Sequence, residues 1–202
     1  MFKLFKKKLE YKIQTSFSDN GLYPSFCEKA STDNSVFKKF RSNPVYDKIV
    51  DVIDFEQGLL FYDVLKNYKN FFKDIENFKK NDLYGGPRLY NYPEIGEISP
   101  ATLRYTKILY DLEENFGSLN NKKIFELGVG YGGQSRLLNE KYNLKEYNLI
   151  DLPEVIKLSS KYLENFKKFN KFKFWTIESL KLDSVDLFIS NYAFSELNRN
   201  LQ

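Results

Sequence analysis

From Gly117 onward the chain alternates short apolar runs with helix-like ones, and this alternation limits the fold more than anything else in it. "KKIFEL", "EYNLID", "KFKFWTI" and "VDLFISN" read as strands, with "GGQSRLLNEKY" and "PEVIKLSSKYLENFKKF" as helices between the first three. Strands and helices alternating at these lengths build βαβ units, hence a parallel sheet with right-handed crossovers. In the second helix Val155, Ser159, Tyr162 and Phe166 recur at the helical period behind Pro153, which suits a first helical position. The expected fold class is therefore α/β.

The first half is organised differently. Residues 1 to about 45 read as polar and irregular, with "SDNGLYPS" and "RSNPVYD" as turn-rich punctuation. Between Val45 and Lys80, Leu60, Val64, Tyr68, Phe71, Phe72, Ile75 and Phe78 fall at helical spacing, which predicts two or three amphipathic helices whose aromatic stripe packs into the core. "NDLYGGPRLYNYPEIGE" mixes Gly, Pro and Tyr in a way that excludes a regular helix or a central strand, so it reads as an ordered connector. The next helix marks its own ends: Ser99 as cap, Pro100 at the first position and Gly117 as stop. Its spacing points Leu103, Ile108, Leu112 and Phe116 at the core and favours solvent for Arg104 and Tyr105. The expected division is a mainly helical region with its connector over 1–97 and an α/β unit over 98–202.

Composition narrows the function classes. With 202 residues, 42% of them hydrophobic, the chain can bury one sizeable core, or one core and a satellite. Its 31 basic residues are interleaved with 27 acidic ones for a net charge of +4, so no single-sign stripe tracks a phosphate backbone, and no nucleic-acid partner is expected. Cys27, the single cysteine, staples nothing and fits a reducing compartment. "MFKLFKKKLEYKI" has no continuous apolar core of a secretory signal, and no run approaches the roughly 18 apolar residues of a membrane span. A cytoplasmic location is expected. Phe2, Phe5, Leu9 and Ile13 could line a basic amphipathic helix that docks on the protein's own body or, as the lesser option, on a membrane surface. No metal-ligand constellation is apparent, and the chain contains no histidine.

"ELGVGYGGQ" is the candidate binding loop. Four glycines fall in the six positions 128–133, between the carboxyl end of a strand and the start of a helix, where open α/β sheets bind nucleotides. Gly128, Gly130 and Gly133 satisfy the dinucleotide pattern, with Asp151 ending the next strand about 20 residues on. S-adenosylmethionine competes for the same place. Glu126, at the strand's end, tips the choice: its carboxylate repels a doubly charged pyrophosphate and attracts the ammonium and sulfonium of a methionine moiety. Asp151 suits the ribose hydroxyls of either ligand. The plainer alternatives are a solvent-exposed Glu126 and an Asp151 that only caps the following helix.

"FELGVGYGGQ" followed by "YNLIDLPEV" resembles the first two motifs of class I S-adenosylmethionine-dependent methyltransferases, and with "SPATLRY" resembles most closely the sugar O-methyltransferases of bacterial surface-polysaccharide clusters. The resemblance covers about residue 85 to the end. It implies a Rossmann-like sheet represented by its first four strands, behind the helical N-terminal region. It implies that Glu126, Gly128, Gly130 and Gly132 hold the methionine end, that Asp151 holds the ribose and Leu152 the adenine edge. Glu178 and Ser179 would lie near the adenine amino group, although "TIESL" departs from the commoner Asp-containing form, and Asn191 near the methyl-transfer site. The implied acceptor is a sugar, a nucleotide sugar or a polysaccharide precursor. A hydroxyl acceptor usually needs a base, and without histidine Glu196 in "SNYAFSEL" is the candidate, with an ordinary surface role as its alternative.

The family's fold continues beyond "SNYAFSELNRNLQ" with three more strands, so the expectation is a C-terminally incomplete sheet, little transferase activity from the chain alone, and a last strand whose open edge invites oligomerisation. The competing readings are a nicotinamide-dependent oxidoreductase and a non-catalytic fragment or interaction module.

Overall fold

Capping side chains divide the N-terminal half into short helices in the computed structural model, which describes residues 21–181, 184–197 and 199. Phe2, Phe5, Leu9 and Ile13 lie outside these residues. Helix α1 (Leu22–Thr32) starts behind Gly21 in the left-handed conformation. Asp33 accepts from the amides of Ser35 and Val36 to start α2 (Asn34–Phe37), and Asn43 does the same for Val45 at α3 (Pro44–Asp47). A capping box between Asp54 and Gln57 opens α4 (Phe55–Leu65), and α5 (Phe71–Phe78) runs into a 3₁₀ turn over Lys79–Leu83. Residues 21–45 are thus largely helical, against the irregular reading: Pro24 and Pro44 sit in first turns, where a missing N–H is harmless.

The stripe assigned to α4 also needs correcting. Leu60 and Val64 are exposed, and Phe72 on α5 is half exposed. The buried face of α4 is Gly58, Tyr62 and Leu65. Gly58 explains the rotation, because a Cβ there would lie 2.0 Å from the Tyr92 hydroxyl. Tyr92 belongs to a small antiparallel hairpin, β1 (Tyr90–Tyr92) with β2 (Gly96–Ile98), inside the segment read as a connector.

Helix α6 (Pro100–Phe116) begins where the Ser99 hydroxyl accepts from the Thr102 amide and stops at Gly117. Leu103, Leu109 and Tyr110 are buried, whereas Phe116 is 61% exposed, so the core face turns away from Phe116 in the last turn. The alternating part follows as β3 (Lys123–Leu127), α7 (Gly133–Lys141), β4 (Glu146–Ile150), α8 (Pro153–Leu163), β5 (Phe172–Trp175), β6 (Leu187–Ser190) and the short α9 (Ala193–Glu196). The four later strands form one parallel sheet in the order β5-β4-β3-β6. The fold is α/β and Rossmann-like.

One hydrophobic cluster runs from Tyr23 on α1 to Ile189 on β6 and takes in α6, α7, α8 and one face of the sheet. The opposite face carries a smaller cluster of Phe125, Leu127 and Ile150 with Trp175 and Ala193 against it. Beneath the N-terminal helices lies a buried ionic knot. Arg41 reaches Asp51 at 2.7 Å and Asp82 at 2.9 Å, donates to the Ser99 hydroxyl, and stands 4.4 Å over the Tyr131 ring. It joins α6 to the glycine loop through charge that burial would otherwise make costly. No helix of the described residues is long and apolar enough to cross a membrane.

Candidate functional site

The order β5-β4-β3-β6 makes the chain reverse direction beside β3, and the carboxyl end of a sheet at such a reversal leaves a crevice. A cleft opens there. Its floor is Glu126 to Gly130, with Asp151 to Pro153 after β4, Thr176 to Glu178 after β5 and Asn191 to Ala193 after β6. Tyr23, Ile49, Val50, Arg104 and Tyr105 form the facing wall.

Glu126 is not solvent-exposed: 2% of it is accessible, and its Oε2 accepts from the Tyr147 hydroxyl at 2.6 Å. Cα pairing sets Glu126 against Leu149 and Ile124 against Tyr147, so the two side chains share one sheet face by the two-residue repeat. Burial pushes the Glu126 carboxyl up to about 8; the Tyr147 bond opposes this and the charge of Asp151 adds to it. Asp151 is raised to about 6, again chiefly by burial, with backbone amides of Leu152, Gly130 and Val129 holding it down and Glu196 pushing it up. Its Oδ1 accepts from Leu152 N at 2.8 Å and its Oδ2 from Gly130 N at 3.1 Å. Asp151 therefore ties the glycine loop to the end of β4, a larger role than capping, and with three amides on its four lone-pair sites it keeps room for one ligand hydroxyl.

Two glycines have a specific reason to be glycine. Gly128 has φ 79°, and a Cβ on it would meet the Cβ of Ala193 at 2.1 Å. Gly130 has φ 54° and lies under Val50, 3.1 Å from where its Cβ would be. Gly132 is elsewhere: it packs against Leu163 and lies outside the cleft wall. Ser179 is also off the wall, and its hydroxyl accepts from Thr176 N at 2.8 Å, closing the turn that presents Thr176, Ile177 and Glu178. Leu152, Glu178, Asn191 and Glu196 do line the cleft. Tyr192 takes φ 74° and ψ −35°, a rare conformation for a side-chain-bearing residue, and this tight turn sets α9 over Gly128.

Arg104 and Tyr105, assigned to solvent by spacing, belong to the cleft wall. Arg104 Nη2 donates to Val50 O at 3.1 Å and to the Tyr105 hydroxyl at 3.3 Å. Because Ser99 is buried in the Arg41 knot, the first turn of α6 is pressed into the protein, and Arg104 emerges into the cleft at the carboxyl end of the sheet instead of toward water. Tyr23, Val50 and Tyr147 were also unanticipated; Tyr147 becomes visible only once strand register is fixed. Among the described residues no group of three or more His, Cys, Asp or Glu converges as a metal site.

The chain matches no protein-family model and no curated protein. Solved structures do resemble it. A candidate sarcosine dimethylglycine methyltransferase from Galdieria sulphuraria is 26% identical with a TM-score of 0.41, over 46% of this chain and 37% of that one. A candidate RNA methyltransferase from Pyrococcus horikoshii is 21% identical with a TM-score of 0.38, over 45% and 44%. Coclaurine N-methyltransferase bound to N-methylheliamine and SAH is 10% identical with a TM-score of 0.39, over 83% and 48%. The matched region spans less than half the length of each of these three structures. All three neighbours are methyltransferases, and their substrates differ.

Proposed function

We propose that the cleft is the S-adenosylmethionine site of a methyltransferase whose acceptor is a sugar hydroxyl. The observation that carries the cofactor reading is the position of Glu126, a carboxyl 2% exposed on the cleft floor at the carboxyl end of β3, where burial favours its neutral form. A bound ammonium would restore its ionisation. Asp151 keeps an acceptor site for a ribose hydroxyl, and Leu152 and Ile177 offer apolar edges for a flat base.

The same residues fit a pyrophosphate poorly. Asp151 would face its negative charges, and Glu126, which ionises readily only against a cation, offers it no positive partner. The loop amides that cradle phosphates elsewhere are engaged: Gly128 N–H donates to Ile150 O, Gly130 N–H to Asp151 and Gly132 N–H to Val129 O. The start of α7 is walled off as well, since a Cβ on Gly133 would meet the Tyr131 hydroxyl at 2.5 Å and the Tyr105 ring at 2.7 Å. This weighs against the nicotinamide alternative.

When bound, S-adenosylmethionine supplies a methyl group already activated by its sulfonium. The protein's own part is to orient the acceptor hydroxyl and take its proton. Glu196, half-buried in the cleft wall and close enough to Asp151 to raise its pKa, is the carboxylate we assign to that proton. The sugar acceptor is supported by the likeness of "SPATLRY", "GYGGQ" and "DLPE" to the sugar O-methyltransferases, and a cytoplasmic location goes with it. Calorimetric titration with S-adenosylhomocysteine and with NAD tests the cofactor: one S-adenosylhomocysteine per chain and no NAD is expected, and NAD binding alone would overturn the reading. Methyl transfer to a panel of nucleotide sugars and amines tests the acceptor, where methylation of amines alone excludes a sugar hydroxyl.

A further inference from the structure

Among the described residues that line the cleft, four are acidic and one is basic: Glu126, Asp151, Glu178 and Glu196 against Arg104. Arg104 is held at the glycine-loop end. Its Nη2 is pinned by Val50 O and the Tyr105 hydroxyl, the Val50 side chain lies over Gly130, and the Tyr105 ring faces Gly133. No described carboxylate forms a salt bridge with it, because its neighbour Asp51 is taken by Arg41 at 2.7 Å. Its Nε is buried without a partner. A partly buried guanidinium with donors in reserve, set in an otherwise acidic cleft, is arranged for an anion that the ligand brings.

Reading the cleft as an S-adenosylmethionine site identifies that anion. The amino-acid end of the ligand carries an ammonium and a carboxylate on one carbon. Glu126 attracts the first and repels the second, and Asp151 repels the second as well, so a site with carboxyls alone would reject half of the zwitterion. The adenosine end is neutral and needs no cation. We propose that Arg104 is the counter-ion of the ligand's α-carboxylate, so that Glu126 and Arg104 together select an amino-acid zwitterion. With Nη2 already pinned by Val50 O and the Tyr105 hydroxyl, the guanidinium is held in place, so its charge meets the carboxylate at a fixed position.

The test compares S-adenosylhomocysteine with 5′-methylthioadenosine, which has the same nucleoside but lacks the amino acid, by calorimetry on the full chain. Arg104→Gln should weaken S-adenosylhomocysteine at least tenfold and leave 5′-methylthioadenosine within twofold, which also shows that the site is folded. Arg104→Lys should recover part of the loss, and decarboxylated S-adenosylmethionine should bind wild type and Arg104→Gln alike. An Arg104→Gln chain that keeps full affinity for S-adenosylhomocysteine, or loses both nucleosides equally, overturns the assignment while the cofactor reading stands. Loss of affinity for a phosphate-bearing acceptor alone would do the same, moving Arg104 to the acceptor. If wild type binds neither nucleoside, the cofactor reading falls and this inference with it.

Discussion

The Tyr147 hydroxyl donates to Glu126 Oε2 across 2.6 Å between adjacent parallel strands, and both side chains are buried. This bond works against burial, which has pushed the Glu126 carboxyl up to about 8. Tyr147→Phe removes the restraint, so the carboxyl should climb further and be protonated more fully at neutral pH. The expected result is a several-fold weaker S-adenosylhomocysteine affinity at pH 7 with a stability change of only about 1 kcal/mol, the usual net worth of one hydrogen bond. Calorimetry and thermal melts on the same samples check this; an unchanged affinity would detach Tyr147 from the site.

Glu126 and Asp151 also make the ligand-free protein sensitive to pH in a definite direction. Both are acids whose folded values, about 8 and about 6, lie above their ordinary 4.5 and 3.8. The folded state holds protons that the unfolded chain has released, so this share of stability is complete below about pH 4. It declines as pH rises, until about pH 6 for Asp151 and about pH 8 for Glu126. For Glu126 the loss between pH 5 and pH 7.5 is on the order of 3 kcal/mol. Affinity for S-adenosylhomocysteine should run the other way, rising by up to about tenfold per pH unit between about pH 6 and pH 8 as Glu126 ionises. Glu126→Gln should flatten both profiles above pH 6.5, as followed by melts and titrations across that range.

The sheet and the glycine loop were legible because short strand-like runs alternate with helix-like ones from Gly117 onward, and because Glu126, Gly128 and Asp151 stand at the strand ends that this alternation locates. The facing wall was not. Leu60 and Val64 fit the helical period in sequence, which assigns them to the core, but the Tyr92 hydroxyl seated over Gly58 marks the other side of α4 as the buried one. Arg104 and Tyr105 carry no local mark of their position; it follows from Asp82 and Arg41 drawing Ser99 into the interior, contacts made across 17 and 58 residues. Gly132 fitted the loop's motif as well as its neighbours did, yet its surroundings are set by Leu163 from the end of α8.

The Arg41 knot should be the costliest single site to break. Arg41→Met leaves Asp51 and Asp82 buried without their cation, and losing one partner of such a pair typically costs about 3–5 kcal/mol. Burial already raises the Asp51 carboxyl, with Arg41 as its main restraint. Without Arg41, Asp51 should take up a proton, so the loss should be smaller at pH 5 than at pH 8. Chemical denaturation at the two pH values measures this, and a loss under 1 kcal/mol at both would show that the knot contributes little.

Gly128 and Ala193 meet where the loop after β3 passes under α9, and they separate steric contact from backbone strain. Gly128→Ala introduces a Cβ that would lie 2.1 Å from the Ala193 Cβ, at a φ of 79° that side-chain-bearing residues seldom adopt. The strain contributes about 1–2 kcal/mol and the overlap a further 1–3 kcal/mol, relieved only if α9 moves off the cleft. Adding Ala193→Gly removes the overlap and leaves the φ penalty. The double variant should therefore recover the steric part of the stability and most of the S-adenosylhomocysteine affinity lost by Gly128→Ala alone. Equal affinities for the single and double variants would mean that α9 does not close over the loop in solution, and would remove Asn191 and Glu196 from the cleft with it.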